Sequence, residues 1–104
     1  MTEINAFQAV GSTVSVSATT STGNVALTSV GSISGTVRVY NAGSVIAFVN
    51  LGTSSAVEAA AATSIPIPPG GTLMLTKPAT ITHAAAITAS STATVYFTSG
   101  VGGV

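Results

Sequence analysis

Ionised side chains are nearly absent from this 104-residue chain: Glu3, Arg38, Glu58 and Lys77 are the whole set, and they cancel to zero net charge. An ordinary soluble domain carries about a quarter charged residues and holds its net charge away from zero. Two cations make no basic patch, which excludes the electrostatic footprint of a nucleic-acid binder. Cysteine is missing, so neither a disulfide framework nor a thiolate metal site is available. Aspartate is missing too, and His83 is the single histidine. A nucleophile relay needs a base and a third group to orient it. Glycoside cleavage needs two carboxylates flanking one bond. Glu3 sits in an N-terminal arm and Glu58 in an alanine-rich connection, so both read as separate, solvated groups. One histidine and two glutamates do not fill an ordinary zinc or calcium shell. The residues therefore point away from an enzyme, with no catalytic, cofactor or metal ligand to assign. Long apolar runs are lacking as well. The longest, Val45 to Val49, has five residues, against the roughly 20 that span a bilayer. The start, MTEINAFQAV, has neither the basic opening nor the apolar core of a signal peptide. No membrane partner is expected.

What fills the chain instead is hydroxyl and methyl. Serine and threonine number 31, alanine 17 and valine 13, against five aromatics: Phe7, Tyr40, Phe48, Tyr96 and Phe97. Each buried valine or leucine contributes roughly 1.5–3 kcal/mol, while ordering the chain costs about 1.5 kcal/mol per residue. A core of such small groups is marginal by itself. With no disulfide or metal to help, association is the remaining supplement, and a homo-oligomer is expected. A surface almost bare of ions also suits a protein that lies against other protein. The low charge points to a structural part.

Hydrophobic alternation predicts strand after strand. TVSVSA (13–18) sets Val14, Val16 and Ala18 against Thr13, Ser15 and Ser17, the period of a half-buried strand. NVALT (24–28) follows Gly23. TVRVYN (36–41) sets Val37 and Val39 opposite Arg38 and Tyr40. VIAFVNL (45–51) is apolar on both parities, as an inner strand covered on each side would be. Only Ala42, Gly43 and Ser44 separate those two runs, which predicts a hairpin. SIPI (64–67) runs into Pro68-Pro69-Gly70-Gly71, read as hairpin punctuation, and TLMLTK (72–77) follows. TITHAAAIT (80–88) puts Ile81, His83, Ala85 and Ile87 on one face, and TATVYFT (92–98) alternates again. Alanine-rich 56–63 reads as a single helical turn or an irregular loop, being too short for an independent helix. With 4–10 as a further strand or arm, about eight short strands result. The expected fold is all-β, one small antiparallel β-sandwich or jelly-roll-like barrel over 12–99. Residues 1–11 form an arm or edge strand, and 100–104 a glycine-rich tail.

The stretches VRVYNAGSVIAFVNLG (37–52), IPIPPGGTLMLT (65–76) and HAAAITASSTATVYFTSGVGG (83–103) carry a resemblance. Their running order is an Asn41-x-Gly43 turn, an apolar strand with Phe48, Val49 and Gly52, a Pro-Pro-Gly-Gly turn, and a closing segment with Ala86, Ile87, Thr94, Val95, Tyr96 and Gly100. In this order the chain resembles small capsid decoration (cement, or head-stabilising) proteins of tailed bacteriophages. The resemblance covers the last two thirds of the chain. It implies a virion component on the outer capsid surface, bound to the major capsid protein as a homo-oligomer, with a trimer favoured. Glu3, Ile4, Phe7 and Val10 in the arm, together with Arg38, are then the candidate capsid or subunit contacts, the arm adding a strand to a capsid edge. Arg38 or Lys77 is expected to pair with Glu3 or Glu58 across such a contact. The alternative is a tail-fibre or host-surface carbohydrate-binding module, with Tyr40 and Tyr96 as platforms. Ice binding fails because the threonines keep no constant spacing. His83 reads as a half-buried neutral imidazole bonded to backbone or threonine, the sharper reading being an interface histidine.

Overall fold

The computed structural model describes residues 7–29, 35–61 and 63–101. They form nine strands and no helix: β1 (Gln8–Ala9), β2 (Val14–Ala18), β3 (Gly23–Ala26), β4 (Gly35–Asn41), β5 (Ala47–Gly52), β6 (Ile65–Ile67), β7 (Thr72–Lys77), β8 (His83–Thr88) and β9 (Ala93–Val101). The pairing is nested. β2 pairs with β9, β3 with β8, β4 with β7 and β5 with β6, all antiparallel. That is one long hairpin, and it rolls up by adding the pairs β4–β9 and β5–β8. The outcome is a jelly roll with sheet orders β2-β9-β4-β7 and β3-β8-β5-β6. The expected all-β sandwich is observed.

Strand alternation decides which side chains meet between the sheets. Val37 and Val39 of β4, Val95 and Phe97 of β9, Val49 of β5 and Ala84 and Ala86 of β8 are wholly buried there. Thr13, Ser15 and Ser17 stay exposed beside buried Val16 and Ala18. Hydroxyls out and methyls in is the pattern an antiparallel sheet with one wet face requires.

Two expected hairpins fail for one reason: alternation says nothing about which sheet a strand joins. β4 and β5 make no hairpin, because they belong to different sheets. Segment 42–46 is a corner between sheets, built around the buried Asn41. Its Oδ1 accepts from Gly43 N–H at 2.9 Å, closing an Asx turn, while Nδ2 donates to Val45 O at 2.8 Å and Ile67 O at 3.0 Å. Gly43 packs where any Cβ would lie 2.7 Å from Ala93 Cα, so glycine lets the corner close on β9. Pro68–Gly71 is a turn but joins β6 to β7 across the sheets, and so makes no hairpin either. Nor is β5 covered on both sides. Ala47 and Val49 are buried, whereas Phe48 is half-buried and Asn50 exposed on the outer face.

The Pro68–Gly71 turn itself forms as read. Gly71 N–H donates to Pro68 O at 2.8 Å, with Pro69 at the second position and Gly70 at φ 72°, the type II arrangement. A Cβ on Gly70 meets nothing within 4 Å. Gly70→Ala therefore bears only the left-handed backbone penalty of about 1–2 kcal/mol. Thermal unfolding should drop by about 4–8 °C per kcal/mol, without loss of the fold.

At the ends of the chain, β1 continues β2 along the same edge of β9. Val10 N–H donates to Ser99 O, the Thr13 and Thr98 hydroxyls bond at 2.8 Å, and Gly11 and Ser12 bulge out between these rungs, Gly11 at φ 73°. β9 runs to Val101, two residues into the stretch read as a tail. Segment 53–64 holds no helix among its described residues and lies as a loop on the outer face of the second sheet. It is tied down by Asn24 Nδ2 to Ser55 O and Asn50 Nδ2 to Glu58 O.

Candidate functional site

The sequence-derived contact residues separate in the structure. Glu3 and Ile4 lie outside the described residues. Phe7 and Val10 are half-buried and already engaged at home. Beside Val10's bond to Ser99, the Phe7 ring lies over Gly100, where a Cβ would come 2.7 Å from two of its ring carbons. Gly100 is thus a seat for the arm on the outer face of the first sheet.

Arg38 is exposed on that same face, as its alternation with buried Val37 and Val39 requires. Its guanidinium carbon stands 5.9 Å from the Tyr40 ring centroid, within cation–π range. Tyr40 in turn stacks on Tyr96 of the neighbouring strand, with centroids 6.4 Å apart and planes at 23°. The two tyrosines meet because Tyr40 and Tyr96 are register partners. Lys77, the other cation, is buried at the end of β7 and is not a surface group.

A second surface lies at the end of the sandwich where 42–46, 68–71 and 89–92 cluster. Val45, Ile46, Phe48, Pro69 and Ala89 line an open cleft of about 330 Å³ rimmed by Ser44 and Ser90. Ile46 is 47% exposed, the most exposed large apolar residue among those described. Phe48 adjoins Pro66 and Ile87 as register partners on the outer face of the second sheet, which carries the apolar surface beyond the cleft. The signal for this patch was present in VIAFVNL. An apolar residue on the outward parity of a half-buried strand marks either a second cover or an exposed patch, and here it marks the patch.

His83 shares its face with Ala85 and Ile87 as alternation required, but that face is the outer one of the second sheet and not the core; Ala84, Ala86 and Thr88 point in. It is half-buried, with Nδ1 2.8 Å from Thr82 Oγ1. No group of three histidine, cysteine or acidic side chains gathers to hold a metal among the described residues. No helix among them is long and apolar enough to cross a membrane. Compared with protein families, curated proteins and solved structures, the chain finds no match in any of the three.

Proposed function

We propose that this chain is a structural virion protein that decorates and stabilises the outer surface of a tailed-phage capsid as a homo-oligomer, a trimer favoured. The observation that carries the reading is the apolar cleft around Ile46 and Phe48 on a surface with almost no charge. Uncharged apolar patches on a domain surface mark places where other protein sits. The resemblance of 37–103 to decoration proteins points the same way. A jelly roll by itself decides nothing, since one fold serves many functions.

Cementing follows from linkage. A ligand that binds only the assembled lattice, bridging neighbouring copies of the major capsid protein, shifts the balance toward the intact shell. Phe7 and Val10 are engaged on their own domain, so the proposed capsid contact shifts from the arm to the cleft. Arm-mediated strand addition would first have to strip β1 from β9.

Antibody labelling of purified virions tests the reading. Label on the head supports it, label on tail fibres supports the tail-fibre alternative, and unlabelled particles overturn both virion placements. Ile46→Lys should abolish head occupancy while moving thermal unfolding by no more than about 4 °C, since the site is exposed. Full occupancy by that variant would remove the cleft from the contact.

A further inference from the structure

We propose that the outer face of the first sheet is a binding site for a carboxylate-bearing oligosaccharide. The row Ser15–Tyr96–Tyr40–Thr72 crosses four strands in register. Tyr40 stacks beside Tyr96 with ring centroids 6.4 Å apart, and on the other side of Tyr96 stands Ser15, whose side chain is too small to cover anything. Tyr96 is 40% exposed, so its free face forms a wall above a floor of hydroxyls. Ser15, Thr13 and Thr98 make that floor. Thr13 and Thr98 bond to each other at 2.8 Å, which uses one hydroxyl hydrogen and leaves the other free to donate. An aromatic wall over a hydroxyl floor fits a pyranose ring, which offers an apolar C–H face and a rim of hydroxyls.

The acidic class follows from charge. Arg38 pairs with Thr98 in register, diagonal to Tyr96, and is exposed. The strands on either side of it present threonines, Tyr96, Gly100 and Met74 on this face. Glu58 belongs to the loop on the opposite face of the sandwich, where its carbonyl accepts from Asn50. Among the described residues no carboxylate shares the sheet face with Arg38. Its cation–π contact with Tyr40 orients the guanidinium while leaving its donors unspent. A carboxylate on the sugar would take the donors that this exposed guanidinium offers.

The proposal does not rest on the capsid reading. Virion labelling locates the chain, whereas the experiment here uses the free protein, so either can fail alone. Titrate the isotopically labelled chain with a short oligogalacturonate and, separately, with its fully methyl-esterified counterpart, following backbone amide resonances. Saturable shifts at Ser15, Thr98, Tyr40 and Tyr96 are expected. The acid should bind roughly two- to fivefold more tightly than the ester at low salt, a preference lost at high salt. Tyr96→Ala should weaken binding of both probes by roughly tenfold, and Arg38→Gln should erase only the preference for the acid. Both side chains are exposed, and an otherwise unchanged amide spectrum verifies the fold. No shifts with either probe, equal affinity for acid and ester, or affinity indifferent to Tyr96→Ala would each overturn the proposal.

Discussion

Asn41→Ala should unfold this domain more readily than almost any other single change at a polar position. The side chain has no exposure, and it satisfies three backbone groups at once: Gly43 N–H, Val45 O and Ile67 O. Alanine leaves them without that partner, and each orphaned buried group costs about 1–3 kcal/mol. The backbone of the same residue holds the neighbouring turn, since Asn41 N–H donates to Gly71 O and Asn41 O accepts from Gly70 N–H. Losing the side chain therefore loosens the β4–β5 corner, the end of β6 and the Pro68–Gly71 turn together. The expected cost is roughly 3–5 kcal/mol, a fall in unfolding temperature of more than about 12 °C. Asn41→Asp is the sharper control because it keeps the shape. It swaps two donors for an anionic oxygen facing two carbonyls, so at neutral pH it should be worse than alanine. Burial raises the pKa of the introduced carboxyl above its unfolded value. The penalty is then present above that raised value and fades as pH falls toward the unfolded pKa near 4. Denaturant melts of the three proteins at neutral and acidic pH decide the matter. Equal stability of Asn41→Ala and the parent would show that the corner is held by something else.

The same residue marks where sequence reading stops. Period-two alternation located β2, β7 and β9 to within a few residues, because each strand buries one face in a core of methyl groups and that constraint is written into every second position. It also assigned outward parity correctly for Arg38 and Tyr40, but His83, read on the apolar side of its strand, faces outward. Pairing was not legible. Asn41-Ala42-Gly43 between two apolar runs has the composition of a hairpin turn. Whether the following strand folds back beside β4 or crosses to the other sheet depends on contacts with Ile67 and Ala93, far away in the chain. Register was hidden for the same reason. Nothing local says that Tyr40 and Tyr96, distant in sequence, will be partners, so both could be named as sugar platforms without their contact with each other being legible. Ile46 and Phe48 were visible as apolar but were read as core. Their exposure follows from the place of β5 in a two-layer fold that has nothing over its outer face at that end.

Phe97→Ala carries the other large expected effect. Phe97 is the largest fully buried side chain and the one aromatic wholly inside the sandwich. It stands in register with Val14 on one side and Val39 on the other, in the strand at the middle of the first sheet. Truncating a buried phenylalanine costs about 3–5 kcal/mol, the value depending on how far the site can collapse. Here it collapses little. β9 is fixed by ladders along both edges, and Phe97's register partners, Val14 and Val39, are short β-branched side chains with little reach to fill the space. The upper end of the range is therefore expected. Against a total stability of about 5–15 kcal/mol, and at the low end of that span for a core built of valine and alanine, such a loss leaves the isolated chain largely unfolded near body temperature. Phe97→Leu retains most of the volume and should stay folded, at a cost of about 1–2 kcal/mol. Circular dichroism melts of the two variants provide the test. A Phe97→Ala protein that unfolds within a few degrees of the parent would mean that the two sheets are held together mainly by their rims.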